Sequence, residues 1–280
     1  AANDTTGEFL LTDVGQSFFA MPEGRPVHEL RIFQVLPKSE THVANRPRLG
    51  YANAESARVL LGTVPVEADG SAYFHAPTGK PLLFQAVDAN GRGIQTMRSV
   101  TYLQPGERRS CVGCHEPRQS APPKTMAAAA FLRAPSDIVS GPDGAAPWSF
   151  MRLVQPILDA RCVSCHNGEE NAAKPDLRSA PENQFSVAYE NLRDYTRWYE
   201  WGDNSIRRVN SRPGEMPSDS SPLTAVIDDD HHAGKTGLTE EERRHIYLWL
   251  DGNASFYGAY SVPEQLAQRR GEAIPVPSLQ

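Results

Sequence analysis

Between residues 27 and 103 apolar side chains tend to recur at every second position. In "VHELRIFQVLP" (27–37), Leu30, Ile32 and Leu36 fall on one face, the spacing of a strand buried on one side. "ARVLLGTVPVEADGSAYFHAP" (57–77) places Asp69-Gly70 between two strand-like runs, and "PLLFQAVDANGRGIQTMRSVTYL" (81–103) places Asn90-Gly91 in the same position. Both dipeptides are hairpin signals, because Gly accepts the positive φ that a tight turn needs. Several short strands separated by such turns predict a β-sandwich-like domain over residues 1–115.

The pattern then changes twice. Residues 116–147 are rich in Pro, Ala, Ser and Gly, lack periodicity and read as a linker. From "WSFMRLVQPILDARCVSCH" (148–166) onward the period becomes helical: Phe150, Val154, Ile157 and Leu158 share a face, with Pro156 starting or kinking the helix. "LTEEERRHIYLWLDGN" (238–253) pairs Thr239 with Glu242 as a capping box, carries Ile246, Trp249 and Leu250 as an apolar stripe, and stops at Gly252. Residues 148–262 therefore read as a helical domain and 263–280 as a C-terminal tail. The expected fold class is α+β.

Composition narrows the function. A chain of 280 residues with 39% hydrophobic and 22% charged positions is globular in type, and 280 residues suffice for two domains. The net charge of −6 gives no electrostatic footprint for nucleic acid. The longest apolar run, "MAAAAFL" (126–132), is too short for a transmembrane segment. The opening "AANDTTGEF" fits a mature form after signal cleavage or a piece of a longer chain.

The four cysteines carry the chemistry. All four lie in "SCVGCHEPRQ" (110–119) and "CVSCH" (162–166), each pair two residues apart and followed by histidine. One tetrahedral zinc site would use the four thiolates but leave both histidines unexplained. A redox dithiol opens a helix after a strand, whereas the second pair follows a helical segment. The CxxCH spacing sets two sulfurs on one turn of chain for thioether attachment of a c-type haem, with the adjacent histidine as axial ligand. Cys111, Cys114 and His115 are thus expected to hold one haem, and Cys162, Cys165 and His166 a second. Covalent haem attachment takes place outside the cytoplasm, so the expected location is periplasmic. A helix ahead of the second motif and another near the C-terminus predict a helical cytochrome c domain.

Stretches covering most of residues 27–262, among them "LGTVPVEADGSAYF", "QTMRSVTYLQPGERRSCVGCHEPR", "GPDGAAPWSF", "LVQPILDARCVSCHNG" and "WLDGNASFYGAY", resemble the C-terminal half of the hydrazine synthase alpha-subunit-like family. The resemblance implies a β-domain ending in a CxxCH haem, then a cytochrome domain whose haem has two histidine ligands. In hydrazine synthase the first-motif haem takes a tyrosine shortly after the motif as ligand. Here Gln119 stands four residues after His115, no tyrosine occurs between His115 and Tyr189, and no spare cysteine remains for the zinc ligation associated with that site.

For the second haem the sixth-ligand candidates are His231, His232 and Met216. The family pattern keeps a histidine at the first of the pair, which selects His231. For the first haem Met97 is a candidate, with a core methionine as the competing reading. The leading expectation is a dihaem electron-transfer protein that serves redox partner proteins or a larger multisubunit complex. The alternative is a haem oxidoreductase, or a subunit of one, acting on a small nitrogen or oxygen species at an open first haem.

Overall fold

The computed structural model describes residues 5–40, 43, 46–53, 55–114, 128–199 and 211–277. The chain forms two compact units, each assembled from separate stretches. The first comprises Ala1–Val35, Leu60–Ala145 and Asn210–Met216; the second comprises Leu36–Val59, Ala146–Val209 and Pro217–Gln280. One division, at Ala145/Ala146, lies two residues from the boundary expected at 147, and none falls at 115.

The first unit carries β1 (Thr6–Leu11), β2 (Glu29–Val35), most of β3 (Arg58–Pro65), β4 (Ala72–Pro77), β5 (Leu82–Val87), β6 (Gly93–Thr96), β7 (Arg108–Cys111) and the short β8 (Pro142–Ala145). One sheet has the order β4-β1-β7 and a second the order β3-β2-β5-β6. Period-two alternation turns Phe9 and Leu11 of β1, Leu30 and Ile32 of β2, Phe74 of β4, and Leu82 and Ala86 of β5 into one core. Phe84 packs edge-on to Phe9 and Phe74, with ring centroids 5.0 and 5.6 Å apart. Such aromatic pairs favour that geometry because a positive ring edge meets a negative ring face.

Asn90-Gly91 turns between β5 and β6, which pair antiparallel. Asp69-Gly70 does not make the expected hairpin. Strand β4 pairs with β1, so this turn passes from one sheet to the other, and Asp69 accepts hydrogen bonds from the amides of Ser71 and Ala129. A strand flanked by a turn signal has two possible partners, and local sequence does not choose between them.

Of the expected linker, residues 128–145 form a strap on the first unit. The Ser136 amide donates to Tyr73 at 2.9 Å and its carbonyl accepts from His75 at 3.0 Å, while Val139 and Thr63 exchange both backbone bonds at 2.9 Å. Gly62, at φ +142, admits this approach: a Cβ there would lie 1.9 Å from the Val139 carbonyl oxygen. Residues 116–127 of that stretch lie outside the described residues.

The second unit holds α1 (Phe150–Leu153), α2 (Gln155–Arg161), the paired strands β9 (Pro181–Glu182) and β10 (Phe185–Ser186), α3 (Val187–Asn191), α4 (Pro217–Ser220), α5 (Pro222–Asp228), α6 (Asp230–Thr236), α7 (Glu240–Asp251) and α8 (Val262–Arg269). The expectation of an α+β chain ending in a helical cytochrome c domain is corrected here. The unit draws 36–59 from the N-terminal part of the chain, includes a small hairpin and, among the described residues, has one helix of 12 residues, the others running 4–8. Pro156 lacks an amide proton and separates α1 from α2. The core is a block of rings rather than helix against helix: Phe150, Phe185, Tyr189, Trp249 and Phe256 are nearly or fully buried, and Tyr51 stacks on Tyr189 at 4.2 Å.

The turn Asn253-Ala254, both at positive φ, anchors that block. Trp148 and Trp249 both donate their indole N–H to the Ser255 carbonyl, at 3.2 and 3.1 Å. A Cβ on Gly258 would sit 2.3 Å from the Trp148 amide nitrogen. Helix α7 begins with its capping box, Thr239 Oγ1 accepting from the Glu242 amide and Glu242 from the Thr239 amide.

Candidate functional site

The first motif starts inside a sheet. Cys111 ends β7 opposite Leu11 of β1 in parallel register, and the ladder runs on as Thr12 and Asp13 donate to the carbonyls of Cys111 and Val112, both at 3.0 Å. Residues 12–16 wrap the motif closely enough that a Cβ on Gly113 would lie 2.2 Å from the Gln16 carbonyl oxygen. Asp13 shapes this loop by accepting from the Gly15 amide and the Gln16 side chain. Cys111 and Cys114 are part-buried, packed against the first unit's core. His115 and Gln119 lie outside the described residues.

The second motif follows α2 directly. Cys162 caps the helix, and the His166 amide donates to the Cys162 carbonyl at 2.9 Å, which coils the five residues into one turn. The chain then folds back on the motif: Ala173 donates to Cys165 at 3.0 Å and Leu177 to His166 at 2.9 Å. Gln155 holds the returning segment through the Leu177 carbonyl at 3.1 Å, and Asn191 through the Asp176 carbonyl at 2.9 Å.

The returning segment fixes the imidazole. His166 Nδ1 lies 2.8 Å from the Pro175 carbonyl oxygen. A carbonyl only accepts, so Nδ1 carries the proton and the lone pair falls on Nε2, the arrangement a metal-ligating histidine needs. All four cysteines are free of disulfides. Burial, reinforced by the charges of Cys165 and Glu242, pushes the Cys162 thiol up to about 11. The residues at the second motif therefore fit a covalently attached haem: two available sulfurs on one turn and a tautomer-fixed imidazole beside them. Among the described residues no group of three or more His, Cys, Asp or Glu side chains is placed to hold a metal ion.

The distal candidates fall in different places. His231 and His232 stand in the first turn of α6 rather than in a loop, with ring centroids 5.8 Å apart. His231 is exposed and His232 part-buried. Met216 is fully buried and groups with the first unit, whereas the second motif lies in the second. Met97 Sδ accepts from the Phe84 amide at 3.4 Å and is part-buried beside β5.

Sequence reading missed three features: Pro175, the Asp13–Gln16 cradle, and an ion pair between Arg161 Nε and Glu242 Oε1 at 3.0 Å. Pro175 contributes only a backbone oxygen, which no side-chain motif signals. The ion pair joins positions 81 residues apart.

Residues 25–116 match the family model for the hydrazine synthase alpha subunit middle domain. That stretch runs from just ahead of β2 through the first CxxCH. Among curated proteins, hydrazine synthase subunit alpha of Kuenenia stuttgartiensis is 26% identical over 193 residues, covering 51% of this chain and 23% of the relative. Among solved structures, Kuenenia stuttgartiensis hydrazine synthase superposes with a TM-score of 0.63 at 22% identity, covering 91% of this chain and 43% of that one. The chain thus shares the fold of part of that protein, spanning less than half of its length. The likeness runs through nearly all of this chain and stands in place of the expected helical cytochrome c domain. Among the described residues no helix is long and apolar enough to cross a membrane.

Proposed function

We propose that this chain is a dihaem c-type protein that relays electrons in a periplasm-like compartment as one subunit of a larger redox assembly. The observation that carries the reading is the His166 Nδ1 hydrogen bond to Pro175 beside two free cysteines on the same turn. Cys111, Cys114 and His115 would hold the first haem, and Cys162, Cys165 and His166 the second, with His231 ahead of His232 and Met216 as the sixth ligand. Bound haem supplies a one-electron couple whose potential follows axial ligation and burial. The protein's own part is to fix the His166 tautomer and hold the second motif's sulfurs on one turn, and to set the first motif's cysteines against a packed core. The assembly is inferred from the name of the curated relative, which is that of a subunit.

A second reading has its own support. The match of residues 25–116 to the hydrazine synthase alpha subunit middle domain favours an enzyme subunit acting on a small nitrogen species at an open first haem. Gln119, in place of the tyrosine expected there, weighs against the same chemistry. Titrating the reduced native protein with carbon monoxide separates the two. A relay leaves both haems unreactive, whereas tight gas binding at the first haem gives the enzyme reading the lead.

A further inference from the structure

A cavity of about 500 Å³ opens at one end of the first unit's three-stranded sheet, and none of its lining residues belongs to a CxxCH motif. Its volume falls in the range of small-molecule sites. Three segments meet there. Pairing of β1 with β4 sets Thr6 opposite Pro77 and Glu8 opposite His75. Beyond β4 the Thr78 amide donates to the Thr5 carbonyl at 3.0 Å and the Gly79 amide to the Leu103 carbonyl at 2.8 Å, a turn that brings Lys80 to the cavity wall. The strap supplies Asp137 and Ile138, tied to β4 by the His75 amide bond to the Ser136 carbonyl.

The polar part of the wall is short of one negative charge. His75 Nδ1 lies 2.9 Å from Asp137 Oδ1. A carboxylate only accepts, so Nδ1 carries the proton and the ring is held with Nε2 as its open nitrogen. Glu8, on the same face, is taken up by Tyr73 Oη and by Arg108 Nε, each at 2.6 Å. Lys80 is part-buried, and among the described residues no hydrogen bond or ion pair engages its ammonium. Thr5 and Thr6 bring two exposed hydroxyls to the same cavity. A part-shielded ammonium without a counter-charge, beside hydroxyl donors, suits an anionic oxygen ligand, because charge-assisted hydrogen bonds are the strong ones. The rest of the wall is apolar, from Ala76, Pro77 and Ile138.

We propose that this cavity binds a small monocarboxylate with a short apolar chain. The carboxylate meets Lys80 and the threonine hydroxyls, and the chain lies against Pro77 and Ile138. Asp137, 90% exposed at the mouth and occupied by His75 on one oxygen, repels a second negative charge and so selects against dianions. The inference goes beyond the electron-relay reading and does not depend on it.

The test uses the full chain, with butyrate as the probe, read by saturation-transfer NMR and calorimetric titration. The parent should bind butyrate saturably at one site, and more tightly than inorganic phosphate. Lys80→Met should weaken butyrate about tenfold or more, as loss of a charge-assisted bond requires, and Lys80→Arg should retain binding. Because Lys80 has no partner to lose, its variants should keep the parent's urea midpoint, which separates lost binding from lost folding. Lys235→Met, at an exposed position on α6, should bind as the parent does. Asp137→Asn should keep butyrate and gain affinity for phosphate. A parent with no saturable butyrate binding, or Lys80→Met binding as tightly as the parent, would overturn the site. So would Lys235→Met losing as much as Lys80→Met, since that is the mark of non-specific charge. A parent that prefers phosphate to butyrate would overturn the choice of ligand.

Discussion

The imidazole of His166 donates from Nδ1 to the carbonyl oxygen of Pro175 at 2.8 Å. Nine residues separate them, and the connecting chain returns over the motif through backbone bonds from Ala173 to Cys165 and from Leu177 to His166. An imidazole held this way presents Nε2 in one direction without losing side-chain entropy when a ligand arrives. His166→Ala should leave the fold standing, because the ring is only part-buried, at a cost of about 1 kcal/mol for the lost hydrogen bond. Absorption and paramagnetic resonance spectra should lose the second haem's low-spin signal and keep the first haem's.

Gly113→Ala should damage the first motif selectively. The added methyl would fall 2.2 Å from the Gln16 carbonyl and 2.8 Å from the Asp13 carbonyl, and neither backbone oxygen can step aside without unpairing residues 12–13 from 111–112. Overpacking of this kind costs about 1–3 kcal/mol. Mass spectrometry should show molecules lacking the haem on Cys111 and Cys114 while the second haem remains.

Tyr73→Phe should weaken the first unit at neutral pH and matter less in acid. Tyr73 Oη donates to Glu8 at 2.6 Å; this bond, opposed by partial burial and aided by Arg108, holds the Glu8 carboxyl below its ordinary 4.5. A carboxyl depressed in the folded state contributes its stability in full above the ordinary value and loses it as pH falls through the depressed one. Urea midpoints should show a loss of about 1 kcal/mol at pH 7, with parent and variant converging as Glu8 becomes protonated. A difference that grows toward low pH would contradict this.

Phe150→Ala should be the most damaging single change in the second unit. Its ring is fully buried and meets Tyr189, Trp249 and Phe256 at centroid distances of 5.2–5.4 Å. Removing a ring so enclosed costs about 3–5 kcal/mol, which chemical denaturation should register directly.

Features governed by neighbouring residues were legible in the sequence. The shared core face of Leu30 and Ile32, the Asn90-Gly91 turn and the Thr239–Glu242 capping box follow from local spacing and stand in the structure, although β2 is buried on both faces, Arg31, Phe33 and Gln34 included, rather than on one. Features governed by distant partners were not. Strand β4 takes β1 rather than β3, residues 36–59 join the second unit, and the Asp69-Gly70 turn changes sheets. The expected helical domain failed because its core is a block of rings drawn from α1, β10, α3, α7 and the loop after α7, together with residues 36–59, a choice made by tertiary contacts that periodicity does not encode. At the site the cysteine spacing pointed to the chemistry. The Pro175 carbonyl and the Arg161–Glu242 pair arise from chain return and from a contact across 81 residues.

The central claim is that both CxxCH motifs carry covalent haem. Mass spectrometry of the denatured protein, produced where c-type haem is attached, tests it most directly. The account predicts a mass greater than that of the polypeptide by two haems, falling by one haem in Cys162→Ala/Cys165→Ala and by the other in Cys111→Ala/Cys114→Ala. The bare polypeptide mass, or stoichiometric zinc retained by the native protein in place of haem, would contradict it.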